Sequence, residues 1–306
     1  MNYDIKILNS KGSKGALEFD RLGVITKTTK EIAQKSFMLK YIGYSDLNPE
    51  KKIKRALAIR LEKFDCVDKS GTIMLIDCDH FKDSVKDMQF DAFRNADELL
   101  ALTPMALVIN SFRAALSDEG NLDNLDKPLL KSLMRFKKSF ENDDEVILLS
   151  NRSTVAEIEI RKRDFKKIES LEDSIPEPKR VMVNGILDEM KISKAKLGLI
   201  TVDGPINLFA SEESILPKLT DYLGHEVTVT GMAHFKPNGM VSFIQVDEYS
   251  DPEESHKIFN RKPRAMSTEQ QVLFQLKAGK KRNPLNELIG SWPGDESLDE
   301  LLEMLD

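Results

Sequence analysis

The sequence has few cysteines, a single tryptophan and no long apolar run, and each shortage excludes a class of protein. Its 306 residues include 2 Cys and 1 Trp, and no apolar stretch approaches the ~20 residues that a membrane-spanning helix needs. Cys66 and Cys78 cannot by themselves form a disulfide framework or a zinc site. The first ten residues mix charged and apolar side chains, which is unlike a signal peptide. We therefore expect a cytoplasmic protein with no membrane partner.

Motifs of the common enzyme classes are also absent. The sequence has no nucleotide-binding glycine fingerprint, no phosphate loop and no serine-elbow motif. The one compact group of metal-ligand residue types is Asp77, Asp79, His80 and Asp83, at a place where a strand is predicted to end and polar residues are ordinary. We expect no catalytic residue, no metal and no cofactor. An enzyme of unrecognised type acting through Asp77, Asp79 and His80 is the third alternative.

Residues 1–173 are predicted to form a mixed α/β domain. Leu57–Leu61 and Thr72–Cys78 have the pattern of a hairpin whose turn is Asp68–Gly71. With Ser70 and Gly71 as the central pair, Cys66 faces Leu75, and both cysteines are expected to be small buried thiols. Apolar spacing then predicts three helices and two further strands; these are helices over Met88–Leu102, Met105–Leu116 and Pro128–Phe140, and strands over Glu145–Leu149 and Thr154–Ile160.

A proline-marked linker, residues 174–178, leads to a second predicted domain over residues 179–250. The turn signals Asp203-Gly204 and Pro237-Asn238-Gly239 separate short β-rich runs, and a bulge or sharp coil is expected at Gly185. The order is β-β-β-α-β-β, which resembles the OB-fold, a small five-stranded barrel. The predicted elements are strands over Arg180–Met190, Lys196–Val202, Pro205–Ala210, Glu226–Phe235 and Met240–Val246, and a helix over Ser211–Leu223. The predicted fold class is therefore α+β.

The predicted barrel offers one candidate nucleic-acid interface. In OB-folds the loops between strands one and two and between strands four and five frame the ligand face, and lysines beside an aromatic ring suit a single strand. Against this interpretation, residues 179–250 contain seven basic and nine acidic residues, whereas nucleic-acid-binding domains are usually basic. The candidate residues are Lys191, Lys194, Lys196, Phe235 and Lys236.

The last 56 residues carry opposite charges in succession. Residues 257–282 contain eight basic residues and one acidic residue, whereas residues 287–306 contain seven acidic residues and no basic one. Residues 251–282 lack clear periodicity, and we expect them to be a basic disordered linker. Residues 283–306 are different, because they combine a lone Trp292 with a capping box at Ser297 and a leucine stripe. So short a helix is marginal alone, so these apolar groups require a surface, either the protein's own barrel or a partner.

The segment Leu285-Asn286-Glu287-Leu288-Ile289-Gly290-Ser291-Trp292-Pro293-Gly294-Asp295-Glu296, followed by Leu298–Leu305, resembles the tails of small bacterial antitoxin-like proteins. Those proteins are encoded beside PIN-domain ribonuclease toxins of the VapBC kind. The resemblance implies that a basic side chain of the tail enters the carboxylate ring of the nuclease, while apolar residues fill a groove. Mapped onto this sequence, the expected partner-binding residues are Lys280, Lys281, Arg282, Leu285, Leu288, Ile289, Trp292, Pro293, Leu298, Leu301, Leu302 and Leu305.

These observations lead to two main hypotheses. The first is a non-enzymatic antitoxin-like protein whose tail, residues 283–306, binds and inhibits a small PIN-type ribonuclease. The second is a nucleic-acid-binding accessory protein that uses the barrel face. Because the tail has unburied apolar groups, self-association into a homo-oligomer is a further possibility. The sequence assigns no role to residues 1–173.

Overall fold

The computed structural model of the chain describes residues 1–9, 16–67, 71–84, 96–118, 120–151, 157–192, 195–212 and 214–265. Residues 1–265 form one compact unit. Within it, residues 1–173, here called the N-terminal part, contain an antiparallel five-stranded sheet in the order β2-β3-β1-β4-β5. The strands are β1 (Asn2–Leu8), β2 (Arg60–Val67), β3 (Gly71–Asp77), β4 (Val146–Asn151) and β5 (Ile158–Arg161).

The helices of the N-terminal part share one hydrophobic core with the sheet. Ile32 of the first helix and Phe112, Leu133 and Phe165 of later ones are buried in the same core as Ile5 of β1. The helices are α1 (Phe19–Ile42), α2 (Lys51–Ala56), α3 (Phe81–Ser84), α4 (Ala96–Ala101), α5 (Pro104–Leu116), α6 (Lys127–Phe136) and α7 (Phe165–Asp173). In the described ranges, no helix has both the length and the apolar character needed to cross a membrane.

The predicted mixed α/β class is confirmed, and the hairpin is present with a different register. Leu57 ends α2 instead of starting a strand, so the first arm of the hairpin begins at Arg60. Val67 pairs with Gly71, so Gly71 belongs to the second arm and not to the centre of the turn; Cys66 therefore lies opposite Thr72, and the expected pairing with Leu75 is wrong. The two cysteines also differ in environment, since Cys78 is buried but Cys66 is exposed. The expectation of two buried thiols therefore holds only for Cys78.

The barrel, residues 179–250, is closed and five-stranded, with the order β10-β8-β7-β6-β9. Its strands pair antiparallel except for β8 and β10, which run parallel. A short helix stands between the third and fourth strands, as the predicted OB-like order requires. The elements are β6 (Lys179–Lys191), β7 (Lys196–Thr201), β8 (Gly204–Ala210), α8 (Ile215–Leu219), β9 (Glu226–Phe235) and β10 (Val241–Ser250).

Glycines shape the barrel where the chain turns or two strands come close. Gly204 and Gly239 have φ values of 103° and 75° in the two predicted hairpin turns, and this left-handed region favours glycine. The bulge expected at Gly185 lies slightly later, between Leu187 and Glu189. Gly185 serves another purpose, because a Cβ atom there would lie 2.4 Å from the carbonyl oxygen of Ile200.

Residues 251–265 do not follow the expectation of a disordered linker. Glu254–Phe259 form a 3-10 helix, and the chain then returns to the barrel. The side chain of Asn260 accepts a hydrogen bond from the amide of Val202 at 2.9 Å. Arg264 forms a β-bridge with Met240, and the amide of Ala265 donates to the carbonyl of Gly239 at 3.1 Å. These backbone partners lie far away in sequence, so local composition did not reveal them.

Candidate functional site

A cleft of about 390 Å³ lies where the N-terminal part meets the barrel. Ligand sites commonly occupy such junctions, and their volumes are typically about 300–1,000 Å³. Here α1, α6 and the loop after α1 line one side, the ends of β9 and β10 line the other, and residues 175–178 complete the wall. We call this the junction cleft. Its lining side chains divide into a cationic group and an aromatic group.

The cationic group follows one row of α6. Lys127, Lys131 and Arg135 lie four residues apart, and this spacing places them on one face of a helix. The opposite face of α6 buries Leu129, Leu130, Leu133 and Phe136, so the helix presents its charges to the cleft. Lys35 of α1 adds a fourth cation to the lining.

Three of these four cations already have a carboxylate partner. Lys35 lies 2.6 Å from Asp46, Lys127 lies 3.6 Å from Glu177, and Arg135 pairs with Glu31 of α1. Glu177 is 84% exposed, so its ion pair is weak. Lys131 is exposed and contacts no carboxylate in the described ranges. The row therefore offers the free ammonium group of Lys131. Next to it is the guanidinium of Arg135, which has more N–H donors than its pairing with Glu31 uses.

The aromatic group comes from both sides of the junction. The ring of His234 stacks on that of Phe243, with centroids 4.4 Å apart and planes 10° apart. Tyr44, which follows α1, packs against the same Phe243 at 4.3 Å. Burial lowers the pKa of His234, so its imidazole is neutral at physiological pH. Burial, together with the charges of Asp46 and Asp126, raises the pKa of Tyr44 to about 12, so its hydroxyl remains a donor.

Ser242 is the least expected member of the lining. The pairing of β10 with β9 shifts between Val241 and Phe243, and the bulge leaves Ser242 as the extra residue. Its side chain is 6% exposed, and its hydroxyl has no hydrogen-bond partner in the described structure. Buried polar groups are normally paired, and bulges often redirect a side chain beside a functional site. Ser242 therefore gives the cleft an unused donor and acceptor.

Asp126 connects the cleft to the framework that supports it. The carboxylate caps α6 by accepting the amide of Leu129 at 3.0 Å. It also accepts the amide of Ser45 at 2.9 Å and the hydroxyl of Ser45 at 2.6 Å. Burial raises the pKa of Asp126 despite these donors. Ser45 and Leu129 both belong to the N-terminal part, so the role of Asp126 is to position the loop of Tyr44 against α6.

The structure scatters the predicted nucleic-acid residues of the barrel. Lys196 is only 1% exposed and lies 3.3 Å from Glu189, which also pairs with Lys191. Phe235 is 4% exposed and belongs to the barrel core, so its ring is not free to stack on a base. Lys236 donates to the carbonyl of Asp123 at 3.0 Å, and Lys194 lies outside the described residues. These side chains do not form one exposed basic face.

The acidic cluster of the third alternative is held by an arginine. The guanidinium of Arg60 donates hydrogen bonds to the carboxylates of Asp77 and Asp79. Hydrogen bonding lowers the pKa of both carboxyls. The largest cause for Asp77 is the hydrogen bond from the N-terminal ammonium, and the largest cause for Asp79 is the hydrogen bond from Arg60. His80 contacts the carbonyl of Ala101 at 2.8 Å. In the described part of the chain, no group of three or more His, Cys, Asp or Glu side chains could hold a metal ion.

All twelve predicted partner-binding residues, from Lys280 to Leu305, lie outside the described residues. The junction cleft was not predicted. The one signal in the sequence was the row Lys127, Lys131 and Arg135 beside an apolar stripe on the same helix. That row alone is typical of any solvated helix face. Its significance depends on the barrel residues opposite, which are about 100 positions later in the chain.

Comparison with known proteins does not place the chain in a family. No protein-family model, no curated protein and no solved structure matches it.

Proposed function

We propose that the protein is a non-enzymatic, antitoxin-like inhibitor whose tail, residues 283–306, binds a small PIN-type ribonuclease. The observation that carries the proposal is the sequence of residues 280–306: three consecutive cations, then an apolar Leu-Ile-Trp segment and an acidic, leucine-rich segment predicted to be helical. Arg282 suits the carboxylate ring of such a nuclease because a guanidinium binds carboxylates bidentately. Leu288, Ile289 and Trp292 supply the apolar anchors that dominate interfaces of this kind.

The contacts of Arg264 and Ala265 support the proposal, because they attach the chain to the barrel 14 residues before Lys280. Arg264 and Ala265 are joined to the turn of Gly239 by a β-bridge and a backbone hydrogen bond. From that point, the 14 residues before Lys280 can span at most about 50 Å if fully extended. In this proposal the unit of residues 1–265 holds the inhibitory tail and limits where its partner can lie.

The test compares three chains as inhibitors of the nuclease recovered with the full-length protein from native cells. The first is the intact chain, the second ends at Gly279, and the third carries Ala at Lys280, Lys281 and Arg282. The matched control carries Ala at Lys51, Lys52 and Arg55, exposed residues of α2 that remove the same charge. We expect the intact chain and the control to inhibit RNA cleavage, and the other two chains to lose inhibition.

Two results would contradict the proposal. One is full inhibition by the chain that ends at Gly279, since that chain lacks the complete tail. The other is recovery of the same partners, with no ribonuclease among them, by both the intact and the shortened chain. The thermal unfolding of all four proteins is measured in parallel, to show that a loss of inhibition does not come from unfolding of residues 1–265.

A further inference from the structure

We propose that the junction cleft binds a nucleoside phosphate, either as a free nucleotide or as the phosphorylated end of a single strand. The geometry that points to this ligand is a row of cations on α6 facing a stacked aromatic pair and the unpartnered hydroxyl of Ser242. No part of the antitoxin-like proposal uses these residues. The two proposals can therefore fail separately.

The cationic row fits a phosphate group. Lys131 is exposed and free of carboxylates in the described ranges, and Arg135 lies one helical turn away on the same face. Lys127 completes the row, and within the described residues its one ion pair is the exposed one with Glu177. Guanidinium and ammonium groups bind phosphate through charge-assisted hydrogen bonds, which are stronger than neutral ones. A phosphate would also replace the weak contact of Lys127 with Glu177.

The aromatic wall fits a base. His234 stacks one face on Phe243, is half-buried and lines the cleft; in this proposal its other face is the stacking surface for the base. Bases stack on such rings without strict sequence preference. A neutral imidazole has one donor and one acceptor nitrogen, and neither has a partner in the described structure. Tyr44 adds a hydroxyl donor, so the base end of the ligand would meet both a stacking surface and polar groups.

Ser242 is the observation that separates a ligand site from an ordinary interface. An unpaired, buried hydroxyl costs stability, and the bulge in β10 places Ser242 at this position. The Oγ atom of Ser242 is shielded from solvent, but the residue lines the cleft, so in this proposal a rotation of its side chain brings the hydroxyl to a ligand hydroxyl or ring nitrogen. Bulges of this kind are typical of sites where a side chain has been redirected.

The size and the charge of the cleft narrow the ligand class. A volume of about 390 Å³ is near the lower end of small-molecule sites, which suits one nucleotide and excludes a duplex. Four cations face three carboxylates, Asp46, Asp126 and Glu177. Asp126 is buried and fully engaged by Ser45 and Leu129, so it does not confront the ligand. The anionic end is therefore expected beside Lys131 and Arg135, away from Asp126.

The test measures equilibrium binding to the full-length protein by calorimetry, with four probes at constant ionic strength. The probes are AMP, adenosine, inorganic phosphate and a 5′-phosphorylated adenosine tetranucleotide. We expect AMP to bind more tightly than adenosine or phosphate, because only AMP uses both ends of the cleft. Tighter binding of AMP than of the tetranucleotide would identify a free nucleotide as the ligand, because such a site rejects a 3′ extension. A clearly tighter tetranucleotide would identify a strand end.

Variants assign the binding to the cleft. Lys131→Gln or Arg135→Gln should weaken AMP about 10- to 100-fold, the effect expected for hydrogen bonds to charged groups. His234→Ala should weaken it about 5- to 100-fold through lost stacking, and Ser242→Ala about 2- to 10-fold. The matched control is Lys138→Gln, which removes an exposed cation just beyond α6 that does not line the cleft. It should leave affinity unchanged.

Three results would overturn the proposal. The first is no binding of AMP or the tetranucleotide at millimolar concentration by a protein that unfolds normally. The second is inorganic phosphate binding as tightly as AMP, which would remove the role of the aromatic wall. The third is Lys138→Gln weakening AMP as much as Lys131→Gln, since that would show only general charge attraction.

Discussion

Asp126 carries two structural tasks in one carboxylate, because it caps α6 and also accepts both polar hydrogens of Ser45. Replacement by Ala removes the cap, which costs about 1 kcal/mol, and leaves buried donors of Ser45 unpaired, which costs a further ~1–3 kcal/mol. We expect Asp126→Ala to lower the free energy of unfolding by about 2–4 kcal/mol in urea titrations. The control is Asp173→Ala, because Asp173 is an exposed residue at the end of α7; its effect should be much smaller.

The same carboxylate makes a pH-dependent contribution whose sign follows from its environment. Since burial raises the pKa of Asp126, the folded state binds its proton more tightly than the unfolded state does. Its stabilising contribution is complete below the ordinary Asp pKa and is lost as the pH rises through the higher folded pKa. Asp126→Asn cannot titrate, so it should gain stability relative to the wild type as the pH rises. A difference that stays constant with pH would contradict this assignment.

Sequence reasoning at the residue scale was least successful where a side chain depends on a distant partner. The sequence predicts Lys196 to be a loop lysine, but it is buried and forms an ion pair with Glu189, which the pairing of β6 with β7 brings close to it. The sequence predicts Phe235 to be an exposed ring near a loop, but the alternation of side chains along β9 directs it into the core of the barrel. Ser242 has no signal in the sequence at all, because its importance comes from a register shift. Turn residues such as Gly204 and Gly239 were predictable, since their backbone conformation is a local property.

Glycines in two elements allow a matched prediction about strand and helix packing. In β9, a Cβ atom at Gly231 would lie 1.9 Å from the carbonyl oxygen of Gln245, so the β9–β10 pairing would have to shift. In α1, a Cβ atom at Gly23 would have no heavy atom within 4 Å. We expect Gly231→Ala to lower the free energy of unfolding by about 1–3 kcal/mol, whereas Gly23→Ala should raise it by about 0.5–1 kcal/mol. Equal effects of the two substitutions in thermal unfolding would show that the close approach in β9 is unimportant.

Helices and strands were easiest to predict where one face is buried and the other is exposed, because their apolar pattern is then clear. Helix α6 has an apolar face and a cationic face, and its start at Asp126 and Pro128 follows ordinary capping rules. The barrel strands are short and bounded by turn residues, so their order could be predicted. Helix α1 was missed although it is 24 residues long, because it also buries polar residues such as Arg21, Thr28 and Ser36. Strand β1 was missed as well, since its partners β3 and β4 lie about 70 and 140 residues later.

At the scale of the whole molecule, the described chain should unfold as one unit, because the barrel contributes to the core of the N-terminal part. Phe209 of β8 and Phe243 of β10 are buried in that core, and Tyr44 packs on both rings. The turn between β9 and β10 also donates to Asp123 through Lys236 and Asn238. A barrel separated from the N-terminal part would expose two large aromatic rings, so each part stabilises the other.

Phe243→Ala tests this coupling. Loss of a buried Phe side chain costs about 3–5 kcal/mol, and here the loss should destabilise both parts together. Hydrogen exchange followed by mass spectrometry would compare the amides of β4 with those of β9 in increasing denaturant, and both sets should lose protection at the same, lower concentration. Val202→Ala is the control, because Val202 is 70% exposed on the barrel and such surface changes are usually within about 0.5 kcal/mol. If β9 lost protection in Phe243→Ala while β4 kept it unchanged, the two parts would fold independently, and the junction cleft would lie between separable domains and not within a single cooperative unit.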